Sequence, residues 1–90
     1  MRSVSVVEKI RQHLAALQPE SLEIIDESSR HVGHEGARGG GGHYQLVIVS
    51  PQFTGKPMQQ RHRMVYQALG QMMRSDIHAL AIRAIAPDEI

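Results

Sequence analysis

The hydrophobic positions of this chain change period along its length, and each change marks an element. Val4, Val7, Ile10, Leu14 and Leu17 recur at helical spacing, with Glu8, Lys9, Arg11 and Gln12 among them. This spacing predicts an amphipathic helix over residues 4–17, with Ser3 as its N-cap and Pro19 beyond its end. Residues 21–27 read SLEIIDE. Leu22 and Ile24 alternate with acids in a run too short for a helix, which predicts a strand. Residues 43–50, HYQLVIVS, give the strongest strand, rich in β-branched and aromatic side chains. Tyr44, Leu46 and Ile48 share one face, Gln45, Val47 and Val49 the other, and Pro51 ends the run. Two strands adjacent in sequence pair most simply as an antiparallel hairpin.

After the turn-rich PQFTGKP, the residues Met58, His62, Val65, Leu69 and Met72 follow at spacings that predict one helical face over residues 57–74. Pro57 suits the first turn. Gly70 weakens such a helix by about 1 kcal/mol relative to Ala, which points to a close packing contact there. Ser75 and Asp76 break the pattern. Residues 77–85, IHALAIRAI, predict a third strand. His78, Leu80 and Ile82 share one side. Ala79, Ala81 and Arg83 share the other, whose small residues would let a helix approach. Pro87 then starts a short terminal helix. The expected order is α-β-β-α-β in a single domain over residues 1–90, of the α/β (α+β) class.

Between the first two strands, residues 28–42 read SSRHVGHEGARGGGG and hold six of the eight glycines. The run over residues 39–42 is expected to be irregular, because glycine loses the most backbone freedom on ordering. Loops of about fifteen residues in small domains are usually functional or disordered. The glycines do not form the G-x-G-x-x-G pattern between a strand and a helix, so a flexible linker is the preferred reading over a phosphate cradle. The loop also carries His31 and His34.

Composition narrows the chemistry. Ten Lys and Arg against nine Asp and Glu leave a net charge of +1, which argues against a strongly electrostatic nucleic-acid binder. The absence of cysteine excludes disulfides, a thiolate nucleophile and any all-cysteine metal site. Six histidines are then the soft metal ligands at hand. No apolar run nears the ~20 residues that span a bilayer, and the N-terminus lacks a signal-peptide core. A soluble, cytoplasmic protein is expected. No nucleophile elbow, P-loop or HExxH motif supports catalysis, and Asp26 and Glu27 read as solvated charges.

The histidines fall into types. His13 reads as a surface residue of the first helix, and His43, alternating with inward Tyr44, as solvent-facing. His62 lies on the apolar stripe of the second helix, where a structural histidine with its ring nitrogens hydrogen-bonded is expected. His78 opens the last strand, and the loop gives His31 and His34 the reach to meet it on one metal ion. Two imidazoles do not complete a site, so an iron–sulfur centre would need further ligands from a partner, and none is expected to bind tightly to this chain alone.

The run HYQLVIVSPQFTGKPMQQRHRMVYQALGQMMRSDIHALAIRA resembles the BolA family, and the resemblance extends back through LEIIDES to Arg30 and His31. Its most specific pieces are Phe53-Thr54-Gly55-Lys56, Arg61-His62-Arg63-Met64-Val65-Tyr66 and His78-Ala79-Leu80-Ala81. The resemblance implies a class II KH-like fold, a three-stranded sheet with helices on one face. It implies a non-enzymatic adaptor that binds a monothiol glutaredoxin and shares a bridged [2Fe–2S] cluster with it and glutathione, in iron–sulfur trafficking or iron regulation. The family's ligand positions fall on His78 and His31. The loop here is longer than is usual in the family, so His34 stands as the alternative loop ligand. The free protein is expected to be a monomer.

The family is also described as stress-responsive regulators with proposed DNA binding. That alternative assigns phosphate contacts to Lys56, Arg61, Arg63 and Arg74, on or around the 57–74 helix. A GxxG clamp of the kind KH domains use on RNA is absent from the equivalent position.

Overall fold

A computed structural model of the protein describes residues 5–27 and 42–90. The expected cap Ser3, the start of the first helix at Val4, and the loop with His31 and His34 lie outside these residues. Helix α1, Val6–Leu14, begins at Ser5, whose hydroxyl accepts a hydrogen bond from the Glu8 N–H at 3.1 Å. The cap is therefore Ser5, which satisfies an amide that the first helical turn leaves open. A 3₁₀ turn, Ala15–Leu17, follows and ends on Gln18 at φ 51°. Ile10, Leu14 and Leu17 are buried, the inward face that the spacing predicts.

Strand β1, Ser21–Asp26, pairs antiparallel with β2, Gly42–Val49, and β2 pairs parallel with β3, Ile77–Ile85. The order β1-β2-β3 places β2 in the centre. Gly42 corrects the expectation for the glycine run. It opens β2, with its N–H donating to the Asp76 carbonyl at 3.0 Å. A backbone amide paired in this way can sit in a ladder whatever its side chain.

A parallel pair needs a crossover, here built from helices α2, Met58–Leu69, and α3, Met72–Ser75. The single helix expected over 57–74 is thus two. Gly70 ends the first at φ 58°, ψ −128°, and its N–H bonds the Tyr66 carbonyl at 2.9 Å. A side-chain carbon at Gly70 would meet nothing within 4 Å, so its reason for being glycine is backbone conformation and not close packing.

The sheet's inner face carries Leu22 and Ile24 from β1, Tyr44, Leu46 and Ile48 from β2, and Leu80, Ile82 and Ala84 from β3. These pack with Ile10 and Leu14 of α1, Val65 and Leu69 of α2, and Phe53 of the 3₁₀ turn Pro51–Phe53. Ala79, Ala81 and Arg83 are exposed. The small-residue side of β3 therefore faces away from the helices, contrary to expectation, because the larger Leu80 and Ile82 fill the core. Buried Ser50 closes this layer by donating its hydroxyl to the Leu17 carbonyl at 2.6 Å.

The inward stripe of α2 also differs from the expected one. Arg61, Val65 and Leu69 are buried, with Met72 of α3 beyond them, whereas Met58 is 52% exposed. Helical phase alone allows either stripe. Arg61 can lie inside because four of its five N–H donors are engaged there. Its Nε donates to the Lys56 carbonyl at 2.8 Å and its Nη1 to the Ala84 carbonyl at 3.0 Å. Nη1 and Nη2 donate to the two carboxylate oxygens of Glu89, each at 2.7 Å. Glu89 belongs to the terminal 3₁₀ turn Pro87–Glu89, in the place of the expected short helix, and accepts from the Ala86 N–H at 3.0 Å. This bidentate pair ties the turn before α2, the end of β3 and the C-terminal segment together.

Candidate functional site

The site begins with an irregularity in β3. Ile77 is 2% exposed and enters the core, as do Leu80, Ile82 and Ala84 farther along. Residues 77 and 80 are an odd number of positions apart, which a regular strand cannot place on one face. The ladder resolves this with a register shift. Gly42 partners Ile77 while His43 partners Ala79, which leaves His78 as the extra residue. A bulge of this kind re-aims a side chain. His78, which strict alternation puts with Leu80 and Ile82, is exposed instead.

The bulge brings His78 beside His43. The two ring centroids are 5.2 Å apart and the rings are tilted by 33°. His43 is half-buried, not simply solvent-facing as its alternation with Tyr44 implies. Sequence reasoning passed over the pair. The signal that finds it is parallel pairing: β2 and β3 then start at the same end of the sheet, and each has a histidine at or next to its start.

The ends of the histidine-bearing loop meet the same place. Glu27 donates its N–H to the His43 carbonyl at 2.8 Å, and Gly42 donates to Asp76, two residues before His78. The segment with His31 and His34 therefore leaves β1 beside His43 and returns at Gly42, which pairs with Ile77, the residue before His78. The positions of those two residues lie outside the described structure. Among the described residues, no group of three His, Cys, Asp or Glu side chains forms a metal cage. The donors on this surface are imidazoles, and the chain has no cysteine to add a thiolate.

The remaining histidines carry different roles. His13 Nδ1 lies 2.9 Å from the Lys9 carbonyl on the exposed side of α1. His62 sits at the flank of α2, half-buried, in a shallow groove with Gln59, Arg63, Tyr66 and Gln67. Its Nε2 is buried without a hydrogen-bond partner among the described residues, so the expected bond at that nitrogen is missing.

The cations assigned to phosphate differ in exposure. Arg63 and Arg74 are exposed, and Lys56 is half-buried. Arg61 is corrected: its guanidinium is enclosed and engaged by Glu89, Ala84 and Lys56, which removes it from any phosphate-facing surface. The hydrogen bonds from Arg61, then that from the Ala86 amide, hold the Glu89 carboxyl down at about 2, from an ordinary 4.5. No helix among the described residues is long and apolar enough to cross a membrane.

The DNA-binding transcriptional regulator BolA of Escherichia coli (strain K12) is 42% identical over 77 residues, covering 86% of this chain and 68% of that protein. SufE-like protein 1, chloroplastic/mitochondrial, of Arabidopsis thaliana is 38% identical over 94 residues, and the chain spans only 24% of its length. BolA-like protein 1 of Mus musculus is 42% identical over 72 residues, half of its length. Among solved structures, BolA1 from Arabidopsis thaliana superposes with a TM-score of 0.83 at 33% identity, covering 99% of both chains. The BolA domain of SufE1 from Arabidopsis thaliana gives 0.79 at 37%, covering 98% of this chain and all of that one. The family model described as BolA-like protein matches residues 14–89, from the end of α1 through Glu89, and the chain belongs to the BolA family.

Proposed function

We propose that the chain is a non-enzymatic adaptor that binds a monothiol glutaredoxin and shares a bridged [2Fe–2S] cluster with it, in iron–sulfur trafficking or iron regulation. The observation that carries this reading is the exposed His78 at the bulge, beside His43 and next to Gly42, where the chain returns from the segment that holds His31 and His34. His78 and one loop histidine, His31 with His34 as the alternative, are the ligands on this side. The partner's cysteine and glutathione supply the thiolates that this chain lacks. Imidazole on one iron raises the cluster's potential over an all-thiolate site. A cytoplasmic location and a monomeric free state belong to the same proposal.

The test is reconstitution with a monothiol glutaredoxin, iron, sulfide and glutathione, followed by visible circular dichroism. His78→Ala is expected to abolish the cluster spectrum. His31→Ala reduces it in part, and His31→Ala/His34→Ala matches the loss at His78. An unchanged spectrum for His78→Ala rejects the ligand assignment.

The name of the Escherichia coli relative supports a second reading, a DNA-binding regulator. Residues 57–75 contain Arg63 and Arg74, both exposed, and no acid. The near-zero net charge and the engagement of Arg61 make this the weaker of the two. Anisotropy with duplex DNA across a salt series decides it. Binding that weakens in Arg63→Ala/Arg74→Ala, with a shallower salt slope, favours the regulator.

A further inference from the structure

We propose that His43 and His78 together chelate a single divalent transition-metal ion of the zinc, nickel and copper class in the free protein, without the loop histidines and without a partner. This site is separate from the shared-cluster reading in its ligands, since it adds His43 and omits His31 and His34, and it does not depend on that reading.

The geometry is the first argument. A metal–nitrogen bond of about 2.0 Å puts each imidazole centroid about 3.2 Å from a tetrahedral ion, and two such centroids then lie about 5.2 Å apart. The observed separation of His43 and His78 is 5.2 Å. The rings already stand at the spacing that a shared ion imposes.

Preorganisation is the second. His43 is fixed in the central strand between Glu27, which donates to its carbonyl, and Ala79, its register partner. His78 is fixed by the bulge, between buried Ile77 and the ladder that resumes at Ala79. Ligands held on adjacent strands lose little freedom when the ion arrives, so more of the bond energy appears as affinity.

Chemistry selects the ion. Neutral imidazoles suit zinc, nickel and copper, while magnesium and calcium favour oxygen ligands. With no third His, Asp or Glu joining the pair among the described residues, water completes the coordination and the affinity stays modest. The competing account is a plain ring–ring contact, for which the same spacing is also ordinary.

Titration of the full chain with zinc chloride, in the absence of glutaredoxin, iron and sulfide, separates the two accounts. Two readouts serve: the histidine ring resonances in ¹H–¹⁵N spectra, and calorimetry. One equivalent of zinc is expected to shift His43 and His78 together and to leave His13 and His62 in place. His43→Ala and His43→Gln each weaken binding at least about tenfold, the scale on which metal sites respond to lost support. The double variant His31→Ala/His34→Ala retains wild-type affinity. Amide spectra of all variants establish that the fold persists, and His43→Gln keeps a polar side chain at the bulge should the alanine disturb it. Wild-type zinc affinity in a folded His43 variant overturns the proposal. So does loss of binding in the loop double variant, which would transfer the site to His31 and His34. Both outcomes leave the cluster assignment to be judged by its own spectrum.

Discussion

The two ends of β3 handle polar groups in opposite ways. At its C-terminal end, the buried polar side chains of Arg61 and Ser50 point inward to partners. Arg61 reaches Lys56, Ala84 and Glu89, and Ser50 reaches Leu17, so the charge and the hydroxyl are enclosed with their hydrogen bonds made. At its N-terminal end, six residues and about 20 Å from Ala84 along the strand, the bulge turns His78 outward beside His43. One end is closed by bidentate pairing. The other presents two neighbouring imidazoles at the starts of β2 and β3.

Substitutions at the closed end should produce the largest loss of stability. Arg61→Ala removes four hydrogen bonds and leaves Glu89 without its partner. Thermal unfolding should show Tm falling on the order of 10 °C, a large shift for a domain of this size. A change of only a degree or two would show that the pair contributes little.

Next in size is Gly70→Ala. Gly70 turns the chain from α2 into α3 and so aims β3 at the open end, and its φ of 58° with ψ of −128° disfavours any side chain. Chemical denaturation should report a loss of about 1–2 kcal/mol. Equal or higher stability would place the strain elsewhere.

The pH response comes third. The carboxyl of Glu89 lies at about 2 when folded and at an ordinary 4.5 otherwise. The folded state binds fewer protons in that window, so stability rises with pH there. Its contribution is complete above about 4.5 and disappears as pH falls toward about 2. Glu89→Gln should be less stable at neutral pH and should flatten this acid limb of the stability profile. Parallel profiles for variant and wild type would remove Glu89 from the acid response.

The smallest stability effect should come from the open end. His78→Ala alters an exposed side chain and should stay within about 0.5 kcal/mol of wild type by denaturation, while abolishing the cluster spectrum described above. A destabilisation comparable to that of Arg61→Ala would mean that the bulge is a structural support.

Local pattern determined much of this protein. Alternation in residues 43–50 placed Tyr44, Leu46 and Ile48 on the inner face, and helical spacing placed Ile10, Leu14 and Leu17 beneath it, because burial follows period wherever one face is apolar. The order of elements followed in the same way. The family motifs singled out His78. Local pattern could not decide contacts between residues distant in sequence. The burial of Arg61 depends on Glu89, twenty-eight residues later, and a charge enters a core only when such a partner closes on it. The pairing of His43 with His78 depends on a parallel register and a bulge. That bulge exists because Ile77 and Leu80 must both fill the core, a demand set by the helices packed against the sheet and not by the strand that carries them.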